Sequence, residues 1–288
     1  MRLPITALLL FIIMLSFVSA EETAENSTEI YDPFLLVHDQ QLKSVLKHHM
    51  DAIGGWENWQ KIFSLRLSGQ ITKDRKTIDF VFIKKRPNLI RATLTLEIPG
   101  NEKESIQKIR AHDGRNAWSA TRLSGDTKAL QKKPLHGSDA DDLLTDACVE
   151  TLLIKLSQSG AVLKICKPGK VNGIYCHVIE ATSDLFVGSY RFYLSNVTFH
   201  ILRTEHLHPQ KGDTVTDFSN YQMCEGVYLP MRHTIYSEQT GVTVLVTQSA
   251  QIGVGIYEDY FNFIPLNPIE NVSDTSLISI NRSTIAGN

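Results

Sequence analysis

Between Leu89 and Ile98 the chain alternates without a break. Ile90, Ala92, Leu94, Leu96 and Ile98 fall on one side, and Arg91, Thr93, Thr95 and Glu97 on the other. A period of two is the signature of a strand with one face covered and one face wet. The same period appears at Leu65, Leu67 and Ile71, and again at Ile78, Phe80 and Phe82. Two further strands, "ESIQKIRAHDG" and "NAWSATR", join at a turn on Asp113-Gly114. From Ala161 to Ile252 the pattern resumes, with Asn172-Gly173 as a hairpin turn. Tyr190, Phe192 and Leu194 share a face there, as do Val242, Val244 and Val246. Short strands at such spacing form an antiparallel meander. A wide sheet with one apolar face has to curl and cover that face.

Helical periods occur in two places. Leu42, Val45, Leu46, His49 and Ile53 recur at spacings of three and four, and Gly54-Gly55 stops that helix. "WENWQKI" adds a turn or two. Near Gly137 a second helix starts, with Ser138 as N-cap and Asp139, Asp141 and Asp142 in its first turn. Leu144, Cys148, Leu152 and Leu156 continue it as one buried stripe over residues 139 to 157. The expected fold is α+β and single-domain. Its antiparallel sheet of about 11 strands is highly curved. The N-terminal helix and the helical insertion pack against the concave face.

The ends read differently. "MRLPITALLLFIIMLSFVSA" has an early positive charge, an apolar run and a small-x-small ending at Val18-Ser19-Ala20. The run from Ile5 to Val18 is short for a membrane span of about 20 residues. Residues 1–20 are therefore expected to be a signal peptide cleaved near Ala20, and residues 21–34 a flexible leader. Residues 35–264 form the folded domain, and the Asn/Ser/Thr-rich residues 265–288 a disordered tail. The mature chain is expected in the periplasm or secreted, with no transmembrane segment. In an oxidising compartment Cys148, Cys166, Cys176 and Cys224 read as two disulfides with the pairing open, or alternatively as buried thiols. Sequons stand at Asn26, Asn196, Asn271 and Asn281.

Little in the sequence points to chemistry. With 42% hydrophobic residues, 21% charged residues and a net charge of −2, the chain lacks the basic excess of a nucleic-acid binder. It has no GxSxG, HExxH or P-loop pattern. His206 and His208 share a strand face, but two ligands do not make a metal site. His48 and His49 are adjacent on a helix and diverge. The inward faces drawn above carry almost no charge, so the expectation is a binder, not an enzyme, with no cofactor and no metal.

Four segments carry a resemblance to a family. They are "HMDAIGGWENWQKIFSLRLSGQI", "KKRPNLIR" from Lys84 to Arg91, "HDGRNAWSA" from His112 to Ala120, and "NYQMCEGVYLPMRHTIY". In their order and spacing they resemble the LolA/LolB-like superfamily of outer-membrane lipoprotein-sorting proteins, over roughly residues 38 to 264. The resemblance implies that the curved sheet is an incomplete β-barrel, a half-barrel packed against helices that encloses an apolar cavity for acyl chains. It makes the partners lipid acyl chains or acylated proteins. The alternative function is a cell-envelope sensory or regulatory module that uses the same fold to bind a protein partner. A monomer is expected. The candidate cavity residues are Leu65, Leu67, Phe80, Phe82, Leu94 and Leu96 in the early strands. Trp118, Leu144, Leu152, Tyr190 and Phe192 complete the set, with the helical insertion as a lid.

Overall fold

A computed structural model describes residues 32–263, apart from Pro99, Thr127, Leu185 and the side chains of 101–103. The expected signal peptide, most of the leader and the tail lie outside the described residues. The leader was expected to run to residue 34, but Phe34 is buried in the core.

Asp39 opens α1 (Gln40–Ala52), its carboxylate accepting from the Leu42 N–H at 2.9 Å. The turn at Gly54-Gly55 then leads into the short α2 (Trp56–Gln60). Six strands follow in a meander: β1 (Ser64–Lys73), β2 (Lys76–Lys85), β3 (Leu89–Ile98), β4 (Asn101–Asp113), β5 (Ala117–Leu123) and β6 (Lys133–Leu135). A helical insertion leads to seven more: β7 (Val162–Val171), β8 (Ile174–Ser183), β9 (Phe186–Ser195), β10 (Ile201–Leu207), β11 (Thr214–Cys224), β12 (Val227–Ser237) and β13 (Gly241–Ile252). All pair antiparallel in one open sheet, ordered β6-β5-β4-β3-β2-β1-β13-β12-β11-β10-β9-β8-β7. First and last strands therefore meet in the middle, and the insertion connects the two edges. The count exceeds the expected eleven because β6, three residues with a proline, shows no period, and the Asn172-Gly173 hairpin opens into two full strands.

The insertion is two helices, α3 (Ser138–Asp146) and α4 (Leu152–Gln158), where the sequence stripe predicts one. The break spans Ala147 to Thr151. There Glu150 is buried against Arg86 at 2.9 Å, and Lys84 donates to the Cys148 carbonyl at 3.1 Å. Gly137, at φ +59°, takes the N-cap position expected of Ser138. The main core lies between α1, α4 and the inner face of the sheet, with Leu46, Ile53, Leu153, Leu156, Ile179 and Leu194 fully covered. α3 packs on Ile90 and Ala117 through Leu143 and Ala147.

The register fixes which residues face inward. Opposed residues across a ladder share a face. Leu65 opposes Lys84, which opposes Ile90, which opposes His112, which opposes Ala117. Trp118 therefore points the other way. On the outer face it joins Ile109, Ala111 and Ala120, and its indole N–H donates to the Phe261 carbonyl at 2.6 Å. Arg91 lies on that face too, its guanidinium 3.9 Å from the Tyr260 ring centre. Phe261 packs with Ile83 and Leu89, and the Phe263 N–H donates to Asp113 at 3.0 Å. Residues 256–263 thus form a strap over the outer face of β2–β5, and Trp118 belongs to that second layer and not to the concave side.

All four thiols are free. Cys148 lies in the break between α3 and α4, Cys166 on β7, Cys176 on β8 and Cys224 on β11. Even the neighbours miss each other, since Cys166 opposes Val178 while Cys176 opposes Gly169. The expected pair of disulfides is replaced by unpaired cysteines, two of them buried.

Candidate functional site

Between the inner face of the sheet and the helical insertion lies a cavity of about 550 Å³, within the range of small-molecule sites. Leu65 and Leu67 from β1, Leu152 from α4, and Tyr190 and Phe192 from β9 all line it. The other inward candidates do not. Phe80 and Phe82 meet with their rings tilted, centres 4.5 Å apart, on the same face but outside the cavity lining. Leu94 and Leu96 continue that face on β3 and are half-buried. Leu144 packs against the main core.

Most of the remaining wall comes from β10 to β12. Thr204 opposes Phe192 and Thr216, and His206 opposes Tyr190 and Thr214. Phe218 opposes His233 on β12, and Ile235 opposes Thr216. These positions continue the inward face of Tyr190 and Phe192, so the alternation was available as a signal. Their mixed polarity hid it, because Thr and His interrupt an apolar period.

The lining is more polar than the sequence predicts, which corrects the reading of uncharged inward faces. Lys84, Asp142, Asp146, Glu150 and Lys211 all reach the cavity. Asp146 is an exposed residue on the cavity wall, and desolvation by the protein around it pushes its carboxyl above the usual range despite the nearby Lys84. Burial lowers His233 to about 4, outweighing the hydrogen bond from its Nε2 to the Pro230 carbonyl. Burial raises the Tyr190 phenol to about 12 and the Cys148 thiol to about 11. Lys211 is held by Asp142, with Asp139 at 3.7 Å. Among the described residues no group of three His, Cys, Asp or Glu side chains could hold a metal ion. No described helix is long and apolar enough to cross a membrane.

The cavity has two unlike ends. Trp59, Ile201 and Leu229 lie toward α2 and the β11–β12 turn. His206, His208, Lys211 and Thr214 lie at the opposite ends of the strands, beside the start of α3.

No family model and no curated protein matches the chain. Solved structures do. A LolA superfamily protein from Nitrosomonas europaea superposes with a TM-score of 0.52 at 10% identity, covering 76% of this chain and 96% of that one. A protein described as an outer membrane lipoprotein-sorting domain, from Vibrio parahaemolyticus, gives 0.49 at 17% identity, covering 76% and 95%. A DUF1329 family protein from Desulfovibrio piger gives 0.49 at 13%, covering 77% and 97%. At such identities the likeness is one of architecture, and the fold of this chain is LolA-like.

Proposed function

We propose that this chain is an exported binding or carrier protein that receives a lipid acyl chain, free or attached to a protein, in the cavity under α3 and α4. The observation that supports this reading best is a cavity of about 550 Å³ whose α2 end is walled by Trp59, Leu65, Leu229 and Phe192. Each methylene removed from water is worth roughly 0.8 kcal/mol. Ten of them supply roughly 8 kcal/mol, before the cost of immobilising the chain. The charges around the cavity are largely committed to one another, Glu150 to Arg86 and Lys211 to Asp142. We read the site as one that holds a ligand and does not transform it. The α3–α4 insertion covers the cavity and serves as its lid, and the pattern of residues 1–20 sends the protein to the periplasm.

Titration of the purified protein with a fluorescent, uncharged long-chain monoacylglycerol tests the reading. Saturable one-to-one binding is expected, with unlabelled lipid competing. Linear, non-saturating uptake would sink it. Native mass spectrometry of protein taken from its own cell envelope is expected to show a bound mass that organic solvent removes.

A further inference from the structure

The polar end of the cavity holds a hydrogen-bond donor with nothing to donate to. His208 follows β10 and is only 6% exposed. Its Nδ1 faces two backbone donors, the N–H groups of Gln210 at 3.1 Å and Lys211 at 3.0 Å. Nδ1 must therefore accept, which places the ring proton on Nε2. His208 borders the cavity, and its Nε2 is enclosed by protein without a hydrogen-bond partner among the described residues. Its neighbour His206 meets it ring edge to ring face at 5.4 Å, and spends its own Nε2 on the Val187 carbonyl. Neither contact gives His208 an acceptor oxygen. A buried N–H left unpaired costs about 1–3 kcal/mol, so such groups are usually satisfied by something.

We infer that His208 Nε2–H is the anchor for the carbonyl oxygen of an ester- or amide-linked acyl chain, whose tail runs from there toward Trp59 and Leu229. The inference rests on the acyl-chain reading of the cavity and adds the head-group chemistry and the direction of the bound chain. The charge pattern selects a neutral acceptor. Lys211 is already paired with Asp142, and Asp139 lies between Lys211 and Arg110 at 3.7 and 3.2 Å. A second anion at this end would find its cations taken and Asp142 beside it. A carbonyl brings an acceptor without a charge.

Two ligands that differ only in the carbonyl test this: 1-monopalmitoylglycerol, an ester, and 1-O-hexadecylglycerol, the matching ether. The wild-type protein is expected to bind the ester about tenfold more tightly, the effect of one buried hydrogen bond regained. His208→Asn retains a side-chain acceptor for the Gln210 and Lys211 N–H groups but withdraws the Nε2 donor, so it is expected to fold and to bind both ligands alike. His208→Phe is expected to lose the preference as well. Equal binding of ester and ether by the wild type would overturn the carbonyl anchor and leave the acyl-chain site standing. An undiminished ester preference in His208→Asn would overturn the assignment to His208. Failure of the wild type to bind either ligand would overturn both readings.

Discussion

His49 shows how one residue takes its meaning from elements far along the chain. It occupies an apolar position of α1, and burial is complete. Its Nδ1 donates to the Phe199 carbonyl at 2.8 Å, and Nε2 accepts from the Thr151 hydroxyl at 3.3 Å. Burial lowers its pKa to about 4, more than the bond to Phe199 raises it. Below about pH 6.5 the unfolded chain takes up a proton there that the folded chain refuses. Stability from this group is therefore complete above pH 6.5 and is lost as pH falls toward 4, by roughly 3 kcal/mol in all. Urea unfolding at pH 7 and pH 5 is expected to show this loss, and His49→Gln to show a smaller pH slope whatever its absolute stability. Gly54 is a second case. Sequence reading assigns it a helix stop, and its φ of +116° agrees. Only the fold adds that a Cβ there would sit 2.2 Å from the Gly226 carbonyl oxygen. Gly54→Ala is expected to cost about 2 kcal/mol or more, read as a lowered urea midpoint.

Among elements, the strands other than β6 were legible because a period of two survives in most of them, and the helices less so. The stripe Leu144, Cys148, Leu152, Leu156 predicts one helix because spacing alone cannot register the break from Ala147 to Thr151. That break is stabilised from outside, by Arg86 at the β2–β3 turn. Arg86 pairs with Glu150 and also donates to the carbonyls of Ile62 at 2.8 Å and Trp59 at 3.1 Å. One side chain so ties the insertion and the end of α2 to the sheet. Arg86→Met strands a carboxylate that is 4% exposed. It is expected to destabilise the protein by roughly 3 kcal/mol, measured by thermal unfolding, with Glu150→Gln recovering part of the loss in the double variant. The outer strap was illegible for a related reason. In "AWSATR" both faces carry small or apolar residues, so the alternation does not say that Trp118 faces outward, and nothing local announces that Phe261 will cover it.

For the molecule as a whole, the proposed activity depends on space and not on any one group. Leu67 lines the cavity and is half-buried, so Leu67→Trp fills volume without opening a hole in the core. Monoacylglycerol affinity is expected to fall at least about tenfold in this variant while its melting temperature stays near that of the wild type. An unchanged affinity would move the ligand elsewhere. By itself the sequence determined the antiparallel meander, the helical interruption and the inward set Leu65, Leu67, Tyr190 and Phe192, because side-chain periodicity is a local property of the backbone. Tertiary structure alone decided that β1 meets β13, that Trp118 faces out, that the cysteines stay apart and that Lys84, Asp146 and His208 border one cavity. Those outcomes depend on how a wide sheet curls and where residues more than a hundred positions apart come into contact, and no local pattern of polarity encodes that closure.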